Sequence, residues 1–533
     1  MQLLLFRLKK KHLTYLIGMT IVFHFSIKVD AQTSMEQPRP RIVVTADPEL
    51  DDNNSLIRFL LYSTDMEIEG LIYASSQYHW KGDGKGTKWY VPGREYDLFG
   101  MDTCPCESWR WAEGERFIHD IVEAYEQVYP NLKQHNPNYP TPDYLKSKIR
   151  FGNIEFDGDF SKDTPGSNLI KSLILDDEPG PLFITAWGGQ STIARALKSI
   201  QDQYEYTTDW ESIKSKVSRK VILLPNGDQD DTYAIYIKPN WPDIEYRQFT
   251  GGPRYGYGAP INASVENAKF LTSAWMKENV LDRGPLGDLY RVWGDGKQMV
   301  KGDMVDYFGL SGYTDEELKK MGYFVWMPVQ AKGSWLSEGD NVTFMNMLGN
   351  GLRGYEKGFY GGWGGRVSET QNDPNNFPST SSLNADEMAA SIGAQNNQLA
   401  DKEYPNFFPQ VQRDFANRLK WSITEKYSDA NHEPEISILG PLHLLASPGQ
   451  KIQLHGSVSD PDGDNLSTKW WQFQVGSYPG KVEISNSNSL QAEVLIPEDA
   501  VGGQTIHIIF EATDDGTPSL TRYKRVIVTV KNE

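Results

Sequence analysis

Only two of the 533 residues are cysteine, Cys104 and Cys106, separated by a single proline. Two thiols cannot build a disulfide framework, so the fold must rest on its hydrophobic core. At this spacing a local bridge and two free thiols both stay open. A metal site there would need further ligands, and none stand nearby. Basic residues are also scarce, 53 Lys and Arg against 71 Asp and Glu, a net charge of −18. A surface of that sign repels phosphate backbones, which argues against nucleic acid as a partner. Past the first thirty residues no run is long and apolar enough to span a bilayer. No internal repeat is evident.

What is abundant is aromatic. The chain carries 15 Trp and 27 Tyr. Most such rings serve as core, and exposed ones make flat faces that suit sugars. The length suits two or three domains. The first residues read as an export signal. Arg7, Lys9, Lys10 and Lys11 precede an apolar run from Leu13 to Ile27, and Val29-Asp30-Ala31 follows at the usual cleavage distance. His24 and Ser26 interrupt that run, so a cleaved signal over 1–31 fits better than a membrane anchor. Cleavage would leave 48 basic against 70 acidic residues, a net charge of −22. The expected location is therefore outside the cytoplasm: periplasmic, cell-surface or secreted.

A polar linker, Gln32 to Arg39, leads into strand-like Arg41 to Thr45. After an acidic turn, Leu56-Ile57 and Phe59 to Tyr62 make a helical apolar face, and Ile68 to Ala74 reads as a second strand. Strand-like runs recur at Pro181 to Trp187 and Val221 to Leu224, with helical Thr192 to Ile200 between them. That alternation predicts an α/β domain over 40–430, a mostly parallel sheet flanked by helices. Glu113 to Val128 reads as an amphipathic helix inside a loop-rich stretch, Ser368 to Leu383 as a polar surface loop, and Phe408 to Lys426 as the last helix. From 434 to 533 short strands alternate with turns, among them Ile436 to Ile438, Lys451 to Leu454, Ala492 to Ile496, His507 to Phe510 and Arg525 to Val530. This predicts an all-β, immunoglobulin-like sandwich.

The chemistry concentrates in Asp47-Pro48-Glu49-Leu50-Asp51-Asp52, between a strand and a helix. Ligands of open α/β sheets bind beyond the C-terminal ends of the strands. Carboxylates converging there repel one another without a cation, and oxygen donors select Ca²⁺ or Mg²⁺ over soft metals. The bland alternative is that Asp51 merely caps the helix.

The segment Val43 to Asp52 resembles the N-terminal signature of the nucleoside hydrolases, an Asp-rich turn that holds calcium. Gly70 to Gln77 is similar to the family's second strand, whose end carries a sugar-contacting Asn; Gln77 stands there. Ala186 to Ala194 looks like the turn from which a backbone carbonyl, here that of Ser191, reaches the metal. A closer likeness is to a divergent branch, the cellulose-binding Sde182-type proteins. It rests on Tyr78 to Gly82, Gln229 to Thr232, Gly333 to Asp340, and Asp514 to Pro518 in the sandwich. The resemblance implies Ca²⁺ held by Asp47, Asp52, Ser191 and Asp340, with Asp47 also the general base and Asp51 on sugar hydroxyls. It implies substrate contacts from Gln77, His79, Trp187, Gln190, Asp230, Asp231, Trp335 and Glu338. The reaction implied is hydrolysis of a glycosyl bond by metal-activated water, with inversion.

This chain departs from the nucleoside hydrolase pattern. Thr45 stands where a further Asp is common, Glu49 replaces the turn Gly, and the ribose-binding Glu-Phe-Asn segment has no clear counterpart. A nucleoside substrate is the weakest expectation. Two readings remain: an exported calcium-dependent glycosyl hydrolase acting on a carbohydrate or glycoside, and a non-catalytic polysaccharide-binding protein for cellulose on the same frame. The oligomeric state is open. His79 reads as an acid for the leaving group or as a packed loop residue, and Trp187 and Trp335 as pocket walls or core. Gly361 to Gly365 lacks the strand-to-helix context of a phosphate loop. Asp460-Pro461-Asp462-Gly463-Asp464 reads as a turn rather than an EF-hand, for which the late Glu is missing, and Trp470 or Trp471 as sandwich core.

Overall fold

The computed structural model describes residues 39–94, 96, 104–367 and 404–532. The export signal, nearly all of the polar linker and the loop from Ser368 lie outside the described residues. Strand β1 (Arg41–Ala46) is buried along its whole length. Its run of β-branched residues suits a strand covered on both faces, as parallel strands between helical layers are. Helix α1 (Leu50–Leu61) follows, then β2 (Glu67–Tyr73), α2 (Phe117–His135) and β3 (Ile149–Phe151). Helix α3 (Pro165–Leu175), β4 (Leu182–Ala186), α4 (Ser191–Tyr204), β5 (Val221–Pro225) and β6 (Glu245–Tyr246) complete the sheet region. The described sheet is parallel, in the order β3-β2-β1-β4-β5-β6. The chain winds outward from β1 to one side, then returns to β4 on the other. The gap beyond the C-terminal ends of β1 and β4 is thus the point where the winding reverses, which is where such sheets bind ligands.

Helix α2 begins later and ends later than Glu113 to Val128. The Glu115 carboxylate accepts from the Phe117 N–H at 2.9 Å and fixes the start there. The helix continues past Pro130 because Leu132 and His135 are buried on the next turns. Helix α5 (Phe408–Ile423) ends three residues short of Lys426. Strands β3 and β6 are two or three residues long, too short to carry a periodic signal. Cys104 and Cys106 are joined as a disulfide, the local bridge that the spacing left open.

The C-terminal part is a two-layer sandwich, one sheet ordered β10-β13-β14-β8 and the other β11-β12-β9-β7. Its strands are β7 (Glu435–Ile438), β8 (His443–Ala446), β9 (Lys451–Ser459), β10 (Leu466–Phe473), β11 (Glu483–Ser485), β12 (Gln491–Leu495), β13 (Thr505–Asp514) and β14 (Thr521–Val530). Trp470 stacks on Phe510 in the sandwich core, beside Val494, Ile508 and Val526. The other face of β13 and β14 is also covered. Ile509 and Tyr523 join Phe407, Trp363 and Phe415 in the core of the α/β part. That is why most residues of β13 and β14 are buried, on both faces of the sheet. A buried ion network seals the same face. Asp414 of α5 accepts from Arg522 at 2.6 Å and from Tyr62 at 2.8 Å, and Glu433 pairs with Arg522 at 3.0 Å. The described residues from Arg39 onward form one compact unit.

Candidate metal centre

The acidic turn does not cap its helix. Glu49 occupies the N-cap position without a side-chain cap bond, while Asp51 and Asp52 lie inside the first turn and are buried. Their carboxylates are therefore left over from local helix chemistry. Asp47, one residue past β1, is 0% exposed. Its N–H donates to Asp52 Oδ1 at 3.1 Å, tying the strand end to the helix start. Its Oδ2 accepts from Ser76 Oγ at 2.6 Å and lies 3.1 Å from His79 Nδ1, both beyond the end of β2. Its Oδ1 is buried and has no partner. The turn after β4 supplies the opposite wall. Gly188 approaches so closely that a Cβ there would lie 2.5 Å from Asp47 Oδ1. A buried carboxylate oxygen held in so tight a cradle, without a protein donor, has the surroundings of a cation ligand.

A late segment closes the site. Asp340 is 1% exposed. Its Oδ1 accepts from Asn226 Nδ2, just past β5, at 2.9 Å, and its Oδ2 is buried without a partner. Asp51 accepts from Ser337 Oγ at 3.2 Å and from the Tyr257 hydroxyl at 3.4 Å. The Tyr257 hydroxyl also reaches Glu49 at 3.3 Å. Ligand atoms of Asp47, Glu49 and His79 lie within 4.8 Å of one another, and so do those of Glu49, Asp51 and Asp52. Burial raises the carboxyls of Glu49, Asp52 and Asp340 well above the usual carboxylate range, and the charges of their acidic neighbours push the same way. Asp51 is pushed up to about 6, first by burial. His79 moves the other way, held neutral by burial and by the nearby Arg110 guanidinium. Shifts of this kind measure how poorly the anions are compensated by protein alone.

Residues 41–367 match the family described as cellulose-binding Sde182, nucleoside hydrolase-like domain. The chain belongs to that family. Residues 451–530 match the C-terminal domain of the cellulose-binding protein Sde0182. A solved structure described as a nucleoside hydrolase-related hypothetical protein from Saccharophagus degradans, associated with carbohydrate metabolism, is 25% identical. It covers 92% of this chain and 100% of its own, with a TM-score of 0.63. Domains of the bacteriophage RB49 outer capsid protein Hoc are 12% identical, covering 18% of this chain and 30% of theirs, with a TM-score of 0.13. A chimeric titin Z1Z2 is 18% identical over 18% of this chain and 95% of its own, also with a TM-score of 0.13, and neither likeness carries an argument. A search of curated proteins finds no match.

In this Sde182-type chain the residues expected at the site fall into two groups. Asp47, Asp51, Asp52, His79 and Asp340 meet at the reversal point. Ser191 opens α4. Its N–H donates to Asp230 Oδ2 at 2.9 Å and its hydroxyl is buried without a partner. Asp230 is in turn held by the Thr232 hydroxyl at 2.6 Å, and exposed Asp231 pairs with Arg94. The Gln77 N–H donates to the Gln229 carbonyl at 3.2 Å, and Gln190 Nε2 donates to the Gly227 carbonyl at 3.1 Å. Trp187 lies in the core between Phe59 and Phe344, its Nε1 donating to Thr343 Oγ1 at 2.8 Å. Trp335 is equally buried, against Phe408. Neither ring leaves a face for a sugar. Glu338 is buried in an ion pair with Arg58. One group at the anions that the sequence did not suggest is Tyr257, whose ring stacks on Phe308 and meets Trp326 edge-on. It lies far from the turn in sequence, and only the fold brings it there. Asn226 and Ser76 were likewise missed, although each follows a strand end where ligand groups collect.

Proposed function

We propose that this protein is an exported, calcium-dependent hydrolase of glycosyl bonds, acting on a carbohydrate or glycoside at the end of β1. One observation carries the reading. Asp47 Oδ1 and Asp340 Oδ2 are buried acceptor oxygens without donors, on carboxylates from opposite ends of the domain that lie close enough for the charge of Asp47 to act on Asp340. The donor set fits a hard divalent cation: Asp47, Asp52 and Asp340 would hold it, and the Ser191 carbonyl is the fourth donor that the family likeness implies. When bound, such an ion neutralises the converging carboxylates and makes a water more acidic. The side chains do the rest. Ser76 and His79 orient the Asp47 carboxylate, which takes the proton of an attacking water. Asp51, presented by Ser337 and Tyr257, faces sugar hydroxyls. Water then adds to the anomeric carbon as the bond to the leaving oxygen breaks, and that oxygen takes up a proton from solvent. Attack from one face gives inversion.

The test is a screen of glycosides and polysaccharides with and without chelator, repeated with Asp47→Asn. Loss of turnover by at least about 10³-fold, with an unchanged circular dichroism spectrum, is the expected result for a general base that also anchors the pocket. Full turnover in that variant would refute the mechanism. The family descriptions favour a second reading, binding of cellulose without cleavage. Among the described residues the large exposed apolar side chains of the sandwich are Leu439, Leu445, Leu490 and Val501, none aromatic, so the sugar-stacking face this reading needs is not on the sandwich. Pull-down on insoluble cellulose without soluble product, lost in Asp51→Ala, would select it.

A further inference from the structure

A second set of unpaired acceptor oxygens lies away from the pocket, where the α/β part hands over to the sandwich. Three segments meet there: Asn431 after α5, the turn from Asp460 to Asp464 after β9, and the turn after β13 that starts at Asp514. Asn431 Nδ2 donates to Asp514 Oδ1 at 3.0 Å and to the Pro518 carbonyl at 2.8 Å. Both partners are acceptors, so the amide orientation is settled and Asn431 Oδ1 faces the other way. Asp514 Oδ1 also takes the N–H groups of Gly516 and Leu520, each at 3.0 Å. The Asp514 Oδ2, Asn431 Oδ1 and Asp460 Oδ2 atoms are all buried with no partner. Asp514 and Asn431 are 4% and 6% exposed. The turns are laced together by Asn465 N–H to Asp515 Oδ1 at 2.9 Å, and Asp460 and Asp514 lie close enough to feel each other's charge.

We propose that this junction is a calcium site, held by Asp460, Asp514 and the Asn431 side-chain oxygen, which clamps the end of the α/β part onto two sandwich turns. The donors are all oxygen. The nearby imidazole, His432, is already engaged by Asp462 at 3.0 Å and by His135 at 3.0 Å, so a nitrogen-preferring metal has nothing to recognise. Water alone serves the three oxygens poorly. It has two protons for three acceptors and leaves two carboxylates uncompensated. Loops rather than rigid strands supply the ligands, which suits the pliable coordination of Ca²⁺ better than the strict octahedron of Mg²⁺. Asp462 is not a ligand in this arrangement, so the Asp-x-Asp-x-Asp spacing is not used as an EF-hand uses it.

The site is independent of the pocket at β1, and the experiment separates the two. Calcium bound per chain is measured by equilibrium dialysis against Ca²⁺ for the full protein and for Asp460→Asn, Asp514→Asn and Asp340→Asn. The expected result is that Asp460→Asn and Asp514→Asn each lose the same single equivalent, that Asp340→Asn loses a different one, and that Asp460→Asn/Asp340→Asn loses both. Any glycoside turnover stays unchanged in Asp460→Asn. Should Asp514→Asn fail to fold, Asp460→Asn, in a surface turn, decides the matter. A folded Asp460→Asn that retains the wild-type number of equivalents means water alone fills the trio and overturns the proposal. An unchanged count in Asp340→Asn rejects calcium at the pocket and leaves the junction judged on its own variants.

Discussion

Replacing Glu338 by Gln separates a structural role from a substrate-binding one. Glu338 and Arg58 are both 0% exposed at the side chain. Arg58 Nε donates to Glu338 Oε2 at 2.5 Å and its Nη2 to Oε1 at 3.2 Å. A third bond runs from Nη2 to Gln412 Oε1 at 2.8 Å, and the guanidinium lies 3.7 Å from the Phe415 ring centroid. Tyr290 and Asn341 donate to the same carboxylate. Glu338→Gln keeps the shape, removes the charge and turns one acceptor into a donor facing donors. Arg58 is then a buried cation without a counter-ion, which costs about 3–5 kcal/mol. Arg58→Met leaves the converse defect at a similar cost. Combining Arg58→Met with Glu338→Leu removes both charges and is expected to recover a large part of the loss, because the pair itself is worth little net once both partners are desolvated. The assay is urea denaturation followed by tryptophan fluorescence, with KM measured on whatever substrate the screen yields. Single variants within about 1 kcal/mol of wild type, or a raised KM at unchanged stability, would refute this assignment and restore Glu338 to the pocket.

Three further outcomes follow from the geometry. The Asp51 carboxyl rises from 3.8 to about 6, so the native state holds its proton more tightly than the unfolded chain. Its contribution to stability is therefore full below pH 4 and falls as pH rises toward 6, by about 3 kcal/mol. In chelator, Asp51→Asn should thus be more stable than wild type at pH 7.5 and equal to it near pH 4, as read by denaturant midpoints; a difference independent of pH contradicts the reasoning. Gly188→Ala sets a methyl against Asp47 Oδ1 and should cost on the order of 10²-fold in turnover, with weakened calcium binding and a loss of about 1–3 kcal/mol in stability. Asp414→Asn removes one counter-ion of Arg522 and Arg418 at the seam between the two parts and leaves Glu433 to both. It should lower the unfolding midpoint, by a smaller margin than Glu338→Gln because Glu433 remains, with turnover per folded molecule retained.

Much of the architecture was legible because its signals are local. β1 and β4 are continuous apolar runs, α1 and α4 show a helical apolar face, and the sandwich strands alternate with turns. Such patterns reflect one-sided or two-sided burial, which the residues themselves encode. The acidic turn was legible for a similar reason, since carboxylates so close in sequence cannot separate far in space. Trp187, Trp335 and Glu338 show the limit. Each stands beside site residues in the sequence, yet each side chain turns into the core, because neighbours along a chain need not face the same way.

Local patterning was enough to specify the parallel sheet, the sandwich and the carboxylates of the turn. What those carboxylates meet was set by packing. Tyr257, Asn226 and Asp340 arrive from distant loops, and His79 and Ser76 from the end of the adjacent strand. The same holds at the junction, where Asn431, Asp460 and Asp514 share no local motif. Whether an anion is a helix cap, an ion pair or a cation ligand depends on which donors reach it, and donor supply is a property of the packed chain rather than of any segment in it.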